Sequence, residues 1–196
     1  MDWRLFRDIY DVSLHHHSVG SFFNGVEKLS IPVMVIATAA LWLFARPGGD
    51  RKWKRGAVSG LGSAAFALVI NLAIHAIHDR PRPYEAHAIR HPWASSTDAS
   101  MPSDHASASL AIAFAVLAFD TAVGIVFLVA ALLIAVGRVF IGAHYPGDIA
   151  VSLVVALVSS FVVVRLARSP VALLVRVVER VTDPVLRRVY PKRPVT

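Results

Sequence analysis

The sequence predicts an all-α membrane helix bundle, and its composition and the spacing of its apolar segments support this fold class. Hydrophobic residues make up 56% of the 196 residues, charged residues make up only 17%, and the mean hydropathy is +0.58. Soluble domains average about 45–50% apolar and about 25% charged residues. Five long runs are nearly free of charge, which a soluble bundle of buried helices, the alternative fold, does not explain.

These five runs each predict a membrane-spanning helix, because about 20 mostly apolar residues are needed to cross the hydrocarbon core. The third run is short and needs support from its neighbours or a thinner bilayer. The runs lie at roughly 27–45, 56–78, 105–119, 121–141 and 148–168.

The second run contains GLGSAA at 60–65, which matches the glycine pattern of dinucleotide-binding loops. That motif requires a preceding strand and a βαβ unit, and this segment is an apolar helix. We interpret the small residues as sites of close helix packing.

The first 25 residues predict an amphipathic helix at the membrane interface, with Trp3, Phe6 and Tyr10 among polar neighbours. We expect the three histidines at 15–17 to belong to this helix.

The C-terminal segment also has an amphipathic pattern, and we expect Pro184 to break its helix. The sequence therefore suggests a membrane domain at 1–168 and a basic cytoplasmic tail at 169–196.

Basic residues predict the orientation, because cytoplasmic loops are enriched in Lys and Arg. The 46–55 loop carries five basic residues and one acid, and the chain from Arg165 onward carries eight and two. Both should be cytoplasmic, which puts the N-terminus, the 79–104 loop and the 142–147 turn on the outer face. The net charge of +7 is explained by this pattern, so we expect the bilayer, and not nucleic acid, as the partner.

Three polar segments should meet at the outer end of the bundle: HAIHDRPRP (75–83), PSDH (102–105) and GRVFIGAHYPGD (137–148). Ionisable residues are costly near a membrane and are therefore candidates for function. We expect His87 and His91 to lie on the loop surface.

Arg82 and Arg138 suit bidentate contact with phosphate. Ser103 can cap the third spanning helix, and the free backbone N–H groups after it favour an anion. Together these residues predict an oxyanion site. Taken singly, each arginine could instead be an interfacial anchor.

His144 and Asp148 are four residues apart, and Pro146 suits the first turn of a helix. A carboxylate bonded to one imidazole nitrogen leaves the other nitrogen basic, so His144 can be a nucleophile or a general base. His105 would be the acid for the leaving group. The alternatives for His144 and Asp148 are a structural cap or metal ligands, although no carboxylate-rich or three-His set joins them.

The order Arg-Pro, Pro-Ser-x-His and Arg-x5-His-x3-Asp resembles the type 2 phosphatidic acid phosphatase (PAP2) superfamily. The PSDH and GAHYPGD segments are most similar to the bacitracin-resistance type of undecaprenyl-diphosphatase within it. The resemblance implies a phosphatase that needs no metal or cofactor and works through a phosphohistidine.

The resemblance also implies the roles of the site residues. His144 would be the nucleophile, Asp148 its orienter and His105 the proton donor. The residues that would hold the phosphate are Arg82, Ser103, Asp104, Arg138 and His75.

Two positions depart from the pattern of the superfamily. His75 stands where relatives often have Lys, and an ordinary imidazole is mostly neutral at pH 7. Asp104 stands where Gly is common and adds a negative charge beside the anion site.

The function we predict is hydrolysis of undecaprenyl diphosphate on the outer face, which recycles the carrier lipid of peptidoglycan synthesis. The alternatives are a phosphatase acting on phosphatidic acid, phosphatidylglycerol phosphate or a polyprenyl sugar phosphate, and a non-enzymatic small transporter. A transporter should have polar residues deep in several spans, and few are present here. The spans also argue against a vanadium haloperoxidase, which shares the anion site. The sequence does not indicate the oligomeric state.

Overall fold

Helices form nearly all of this computed structural model, which describes residues 2–45, 47–89 and 95–190. No β-strand occurs in these ranges. The elements are α1 (Asp2–His15), α2 (His17–Phe44), α3 (Lys52–Ile77), α4 (Pro83–Ala86), α5 (Asp104–Leu117), α6 (Thr121–Phe140), α7 (Pro146–Phe161), a π-helical turn (Val162–Leu166) and α8 (Arg168–Val189).

Within the described ranges, four stretches are long and apolar enough to cross a membrane: α2, α3, α6 and the continuous segment Pro146–Leu166. The fifth apolar helix, α5, has only 14 residues. The prediction of an all-α bundle with about five spans is confirmed, and the third span is the short one.

The N-terminal region differs from the prediction in its boundaries. The chain leaves helical geometry at His16, where φ is −118° and ψ is 86°, and α2 begins at His17. The interfacial helix therefore ends at His15, and residues 17–25 belong to the first span. All three histidines at 15–17 are exposed at this break.

The short helix α5 lies at the centre of the bundle and packs against α3, α6 and α7. Ten of its 14 residues are buried, most of them Ala or Ser, and small side chains let helices approach closely. At Gly124 of α6, a Cβ atom would lie 2.3 Å from the Leu117 Cα atom, so only glycine fits there. The packing interpretation of GLGSAA is also confirmed, because a Cβ on Gly60 would lie 3.4 Å from Thr38 and 3.5 Å from Ile112.

Ion pairs join three segments at one end of the bundle, which we call the basic end. Asp120, before α6, accepts hydrogen bonds from Lys52 and from the Trp53 indole, which together with the Val123 N–H hold its pKa well below the ordinary range. Lys54 is 1% exposed and contacts Glu179 at 3.2 Å.

The tail helix α8 packs against α3 at this basic end. Lys54 Nζ lies 2.6 Å from Asp183, and the Trp42 indole donates to Thr182 over 3.0 Å. The predicted break at Pro184 is wrong, since α8 continues to Val189. Pro184 and Arg180, whose carbonyl loses its helical donor, both lie on the exposed face, where solvent can hydrogen-bond to that carbonyl.

At the opposite end, α3 and α6 end and α5 and α7 begin; we call this the site end. Helix α1 lies across it, with Phe6 and Tyr10 buried against Tyr145 and Val139. Gly142 has φ of +80°, a conformation that glycine adopts readily, and a Cβ there would lie 2.9 Å from the Tyr10 ring. The aromatic side of α1 is thus packed on the loop between α6 and α7.

Candidate active site

A polar cavity of about 260 Å³ opens at the site end of the bundle. The three polar segments predicted to converge all contribute to it, together with α2 and the loop before α5. The cavity is lined by Glu27, His75, Arg82, Ser95, Ser96, Asp98, Pro102, Asp104, His105, Arg138 and His144.

His144 lies at the base of this cavity and is 1% exposed. Its Nδ1 atom lies 2.6 Å from the Ser100 carbonyl oxygen, so Nδ1 carries the proton and donates it. Its Nε2 atom faces Arg138 Nη2 at 3.2 Å and Arg82 Nη1 at 3.4 Å. Guanidinium groups only donate, so Nε2 is unprotonated and its lone pair accepts from them.

The environment of His144 also keeps the ring neutral. Burial lowers the pKa of His144 to about 4, with Arg138 and Arg82 acting in the same direction and Asp148 opposing them. A neutral imidazole with an accessible lone pair is the form that can attack an electrophile.

Asp148 lies behind His144 and is fully buried. Its carboxylate is 3.7 Å from His144 Nδ1, beyond hydrogen-bonding distance, so it acts on the ring through its charge. It accepts hydrogen bonds from Ser100 Oγ at 2.5 Å and from the Tyr145 N–H at 2.9 Å. Asp148 therefore fixes Ser100, whose carbonyl orients the ring, and the backbone of Tyr145, which follows His144 in the chain.

Arg82 and Arg138 are each 5% exposed, which an interfacial anchor would not be. Arg82 precedes α4, and its Nε donates to the Asp98 carbonyl at 2.8 Å. Arg138 lies in the last turn of α6 and forms an ion pair with Glu27. Two guanidinium groups thus converge on one imidazole nitrogen, an arrangement suited to an anion.

Ser103 occupies the N-cap position of α5 as predicted, but its side chain makes no capping hydrogen bond. Its N–H donates to Ser152 Oγ at 2.8 Å, and its buried Oγ has no hydrogen-bond partner among the described residues. Ser103 is not among the residues that line the cavity. Its neighbour Asp104 does line it and accepts from Asn71 at 2.6 Å.

The remaining predicted histidines also line the cavity. His105 is 33% exposed, and its Nε2 lies 3.6 Å from Glu27 Oε1. His75 Nε2 lies 3.0 Å from the Pro102 carbonyl oxygen, and its ring is half-buried. His87, expected on the loop surface, instead stacks on Trp3 with ring centroids 3.6 Å apart. His91 lies outside the described residues.

The sequence analysis missed Glu27. It is an acidic residue near the start of a long apolar helix, and the rule that flagged the other polar groups applies to it as well. The first span was predicted to start at residue 27, which places Glu27 at the end of that span. In the structure, it lies ten residues inside α2.

Arg80 was missed as well, although it begins the first of two adjacent Arg-Pro pairs. It contacts Asp148 at 2.5 Å and Asp2 at 2.6 Å, and its guanidinium lies 4.3 Å from the centroid of the Tyr145 ring. Asp2 also accepts from the Gly147 N–H at 3.0 Å. Helix α1 is thereby fastened to the residue that supports His144.

Comparisons with known proteins identify the family and the fold of the chain. Residues 56–170 match the PAP2 superfamily. The chain is 31% identical over 191 residues to undecaprenyl-diphosphatase BcrC of Bacillus subtilis (strain 168), covering 96% of this chain and 97% of the relative. The crystal structure of Aquifex aeolicus LpxE has the same fold, with a TM-score of 0.68 at 20% identity over 81% of this chain and 92% of that one. The chain therefore belongs to the PAP2 superfamily, and it is a multi-pass membrane enzyme that hydrolyses phosphate esters or anhydrides.

Proposed function

We propose that this enzyme hydrolyses undecaprenyl diphosphate to undecaprenyl phosphate through a phosphohistidine on His144. The observation that carries the proposal is the unprotonated Nε2 of a buried, neutral His144 placed between two arginines. The name of the Bacillus subtilis relative supports the choice of substrate.

The positions of the side chains support the following reaction. His144 Nε2 attacks the terminal phosphorus, and the bond from phosphorus to the bridging oxygen breaks. His105 donates a proton to that oxygen as undecaprenyl phosphate leaves. His105 then takes a proton from water, the water oxygen bonds to phosphorus, the P–N bond breaks, and phosphate is released. Arg82 and Arg138 stabilise the charge on the transferred group.

An apolar groove beside the cavity supports a substrate with a long hydrocarbon chain. The groove has a volume of about 510 Å³ and lies between α2 and α6, with walls that include Val26, Leu29, Leu133 and Ile134. Val26 is adjacent to Glu27, and Ile134 is one turn from Arg138, so the groove begins beside the cavity.

The charge distribution supports an outer-face site. Residues 47–55 and the helix α8 lie together at the end of the bundle opposite the cavity. Because basic segments stay in the cytoplasm, the cavity would face outward, where the carrier lipid is released after delivering its cargo. The membrane domain at 1–168 would then carry the activity, and 169–196 would form the cytoplasmic tail.

The test is phosphate release by the purified protein from undecaprenyl diphosphate, phosphatidic acid, phosphatidylglycerol phosphate and a polyprenyl sugar phosphate, each with excess EDTA. We expect undecaprenyl diphosphate to give the highest kcat/KM and EDTA to have no effect. Another preferred lipid would reject the substrate, and loss of activity in EDTA with recovery on adding Mg²⁺ would reject the mechanism.

A further inference from the structure

Glu27 places a carboxylate inside a cavity that we expect to bind a phosphate. It forms an ion pair with Arg138, and the same oxygen, Oε1, lies 3.6 Å from His105 Nε2. Its other oxygen, Oε2, is buried and has no hydrogen-bond partner among the described residues. A negative charge here opposes substrate binding, so its presence calls for a role in the reaction.

The charges around His105 show what that role is. Burial and the two arginines in the cavity disfavour a proton on His105, whereas a nearby carboxylate favours one. Glu27 reaches the ring from another helix, and Asp104 precedes it on α5. The charged or titratable groups that line the cavity with His105 are Glu27 from α2, His75 from α3, Arg82 and Asp98 from the loops, Asp104 from α5, Arg138 from α6 and His144 from the loop before α7.

We propose that Glu27 is a positioning residue that favours the protonated form of His105 until the leaving group departs. When a phosphate occupies Arg138, Glu27 loses that partner, and the protonated His105 ring becomes its nearest counter-charge. Substrate binding would therefore strengthen the Glu27–His105 pair at the moment when the proton on His105 is required. The site then contains two carboxylate–imidazole pairs, Asp148 with His144 and Glu27 with His105, joined by Arg138.

This proposal rests on the proposed function, and its test is the pH dependence of kcat. Glu27→Gln keeps the shape of the side chain and removes the charge, so His105 should lose its proton at lower pH. We expect the alkaline limb of the kcat profile to move to lower pH by about one unit, which is a tenfold loss on that limb. Asp8→Asn removes a charge from the exposed face of α1 and should leave the profile unchanged.

Glu27→Asp provides a second variant in case Glu27→Gln does not fold. It keeps the charge but withdraws it by one methylene group, so its alkaline limb should lie between those of the wild type and Glu27→Gln. A direct readout is the ¹⁵N NMR titration of His105 with vanadate bound, assigned by comparison with His105→Asn. The His105 signal should change at lower pH in either Glu27 variant than in the wild type.

Two results would overturn the proposal. If Glu27→Gln lowers KM and leaves the alkaline limb in place, Glu27 only competes with the substrate for Arg138. If the His105 titration is the same in the wild type and both variants, Glu27 does not act on that ring. Neither result affects the proposed function, which is tested separately by phosphate release from the lipid panel by the wild-type enzyme.

Discussion

The Nδ1 atom of His144 donates to the backbone carbonyl of Ser100 at 2.6 Å, and the Asp148 carboxylate stands 3.7 Å away. A main-chain group therefore fixes the tautomer of the proposed nucleophile. Asp148 supports the arrangement through its charge and through the hydroxyl of Ser100, which it binds at 2.5 Å. The orienting unit is thus a pair of residues, one of which acts through its backbone.

This arrangement predicts a graded series of substitutions. His144→Ala should reduce phosphate release by about 10³-fold or more, since it removes the nucleophile. Asp148→Asn should reduce it by about 10²–10⁴-fold. Ser100→Ala retains the carbonyl and loses one hydrogen bond to a charged group, so about a tenfold loss is expected. All three should elute as folded protein in detergent, and more than a few per cent of wild-type activity in His144→Ala would exclude it as the nucleophile.

The low pKa of His144 predicts how activity depends on pH. With a pKa of about 4, the ring is neutral and nucleophilic throughout the range where an ordinary imidazole, with a pKa near 6.5, would gain a proton. The acid limb of kcat/KM for His144 should therefore lie below pH 6. An acid limb near 6.5 would show that burial does not keep His144 neutral.

The same pKa has a consequence for stability. His144 gains a proton more readily when unfolded than when folded, so its contribution to stability is fully present above pH 6.5 and decreases as the pH falls toward 4. The thermal unfolding temperature in detergent should fall over this window. His144→Asn, which does not titrate, should show a smaller decrease.

His75 lines the cavity, whereas His78 is exposed and does not, which favours His75 as the phosphate contact. If His75 binds phosphate in its protonated form, KM should rise on the alkaline side, and His75→Lys should flatten that rise. His78→Lys adds the same charge outside the cavity and serves as the matched control. Parallel KM curves from about pH 6 to pH 9 for the wild type and His75→Lys would remove His75 from the phosphate-binding set.

Lys54 should be the most important charged residue at the basic end. Its side chain is 1% exposed and lies between Glu179 and Asp183. Lys54→Met leaves two partly buried carboxylates without this cation, which should cost about 3–5 kcal/mol of stability. Lys52→Met removes a cation that is 46% exposed and should cost much less, because an exposed ion pair contributes little to stability. Equal losses in thermal unfolding experiments would mean that burial of Lys54 has no energetic effect.

The orientation can be tested by cysteine labelling, because the chain has no native cysteine. Ala88→Cys lies at the site end and Gly49→Cys in the basic loop, and both positions are exposed. A membrane-impermeant maleimide should label Ala88→Cys in intact cells and Gly49→Cys only after permeabilisation. The reverse pattern would place the cavity in the cytoplasm and exclude recycling of the carrier on the outer face.

Much of this architecture could be predicted because it depends on local composition. Long uncharged runs determine the spans. Ionisable groups near the ends of those spans are costly to place beside a membrane, and such residues, including His105 and His144, indicated the site. The prediction that Pro184 breaks α8 failed. Proline removes the hydrogen-bond donor of one helical carbonyl, and a helix tolerates this loss where that carbonyl faces solvent. Its neighbours Thr182 and Asp183 hold the helix through long-range contacts that a local rule does not include.

The missed residues have a different cause. Ser100 contributes a carbonyl, which every residue type has, so no side-chain pattern could indicate it. Arg80 and Asp2 become important only because helix α1 folds back over the loop before α7, a contact between residues 78 positions apart. Glu27 was detectable, but the boundary of the first span concealed it.

The ion cluster around Lys54 also constrains biogenesis. Glu179 and Asp183 follow Lys54 by 125 and 129 positions in the chain. The ribosome therefore completes the spans before it makes the two carboxylates that pair with Lys54, which belongs to the second span. Until α8 emerges, the amino group of Lys54 lacks these two partners and has to stay at the aqueous edge of the bilayer. A chain that ends before residue 179 would therefore lack both carboxylates that pair with the buried Lys54.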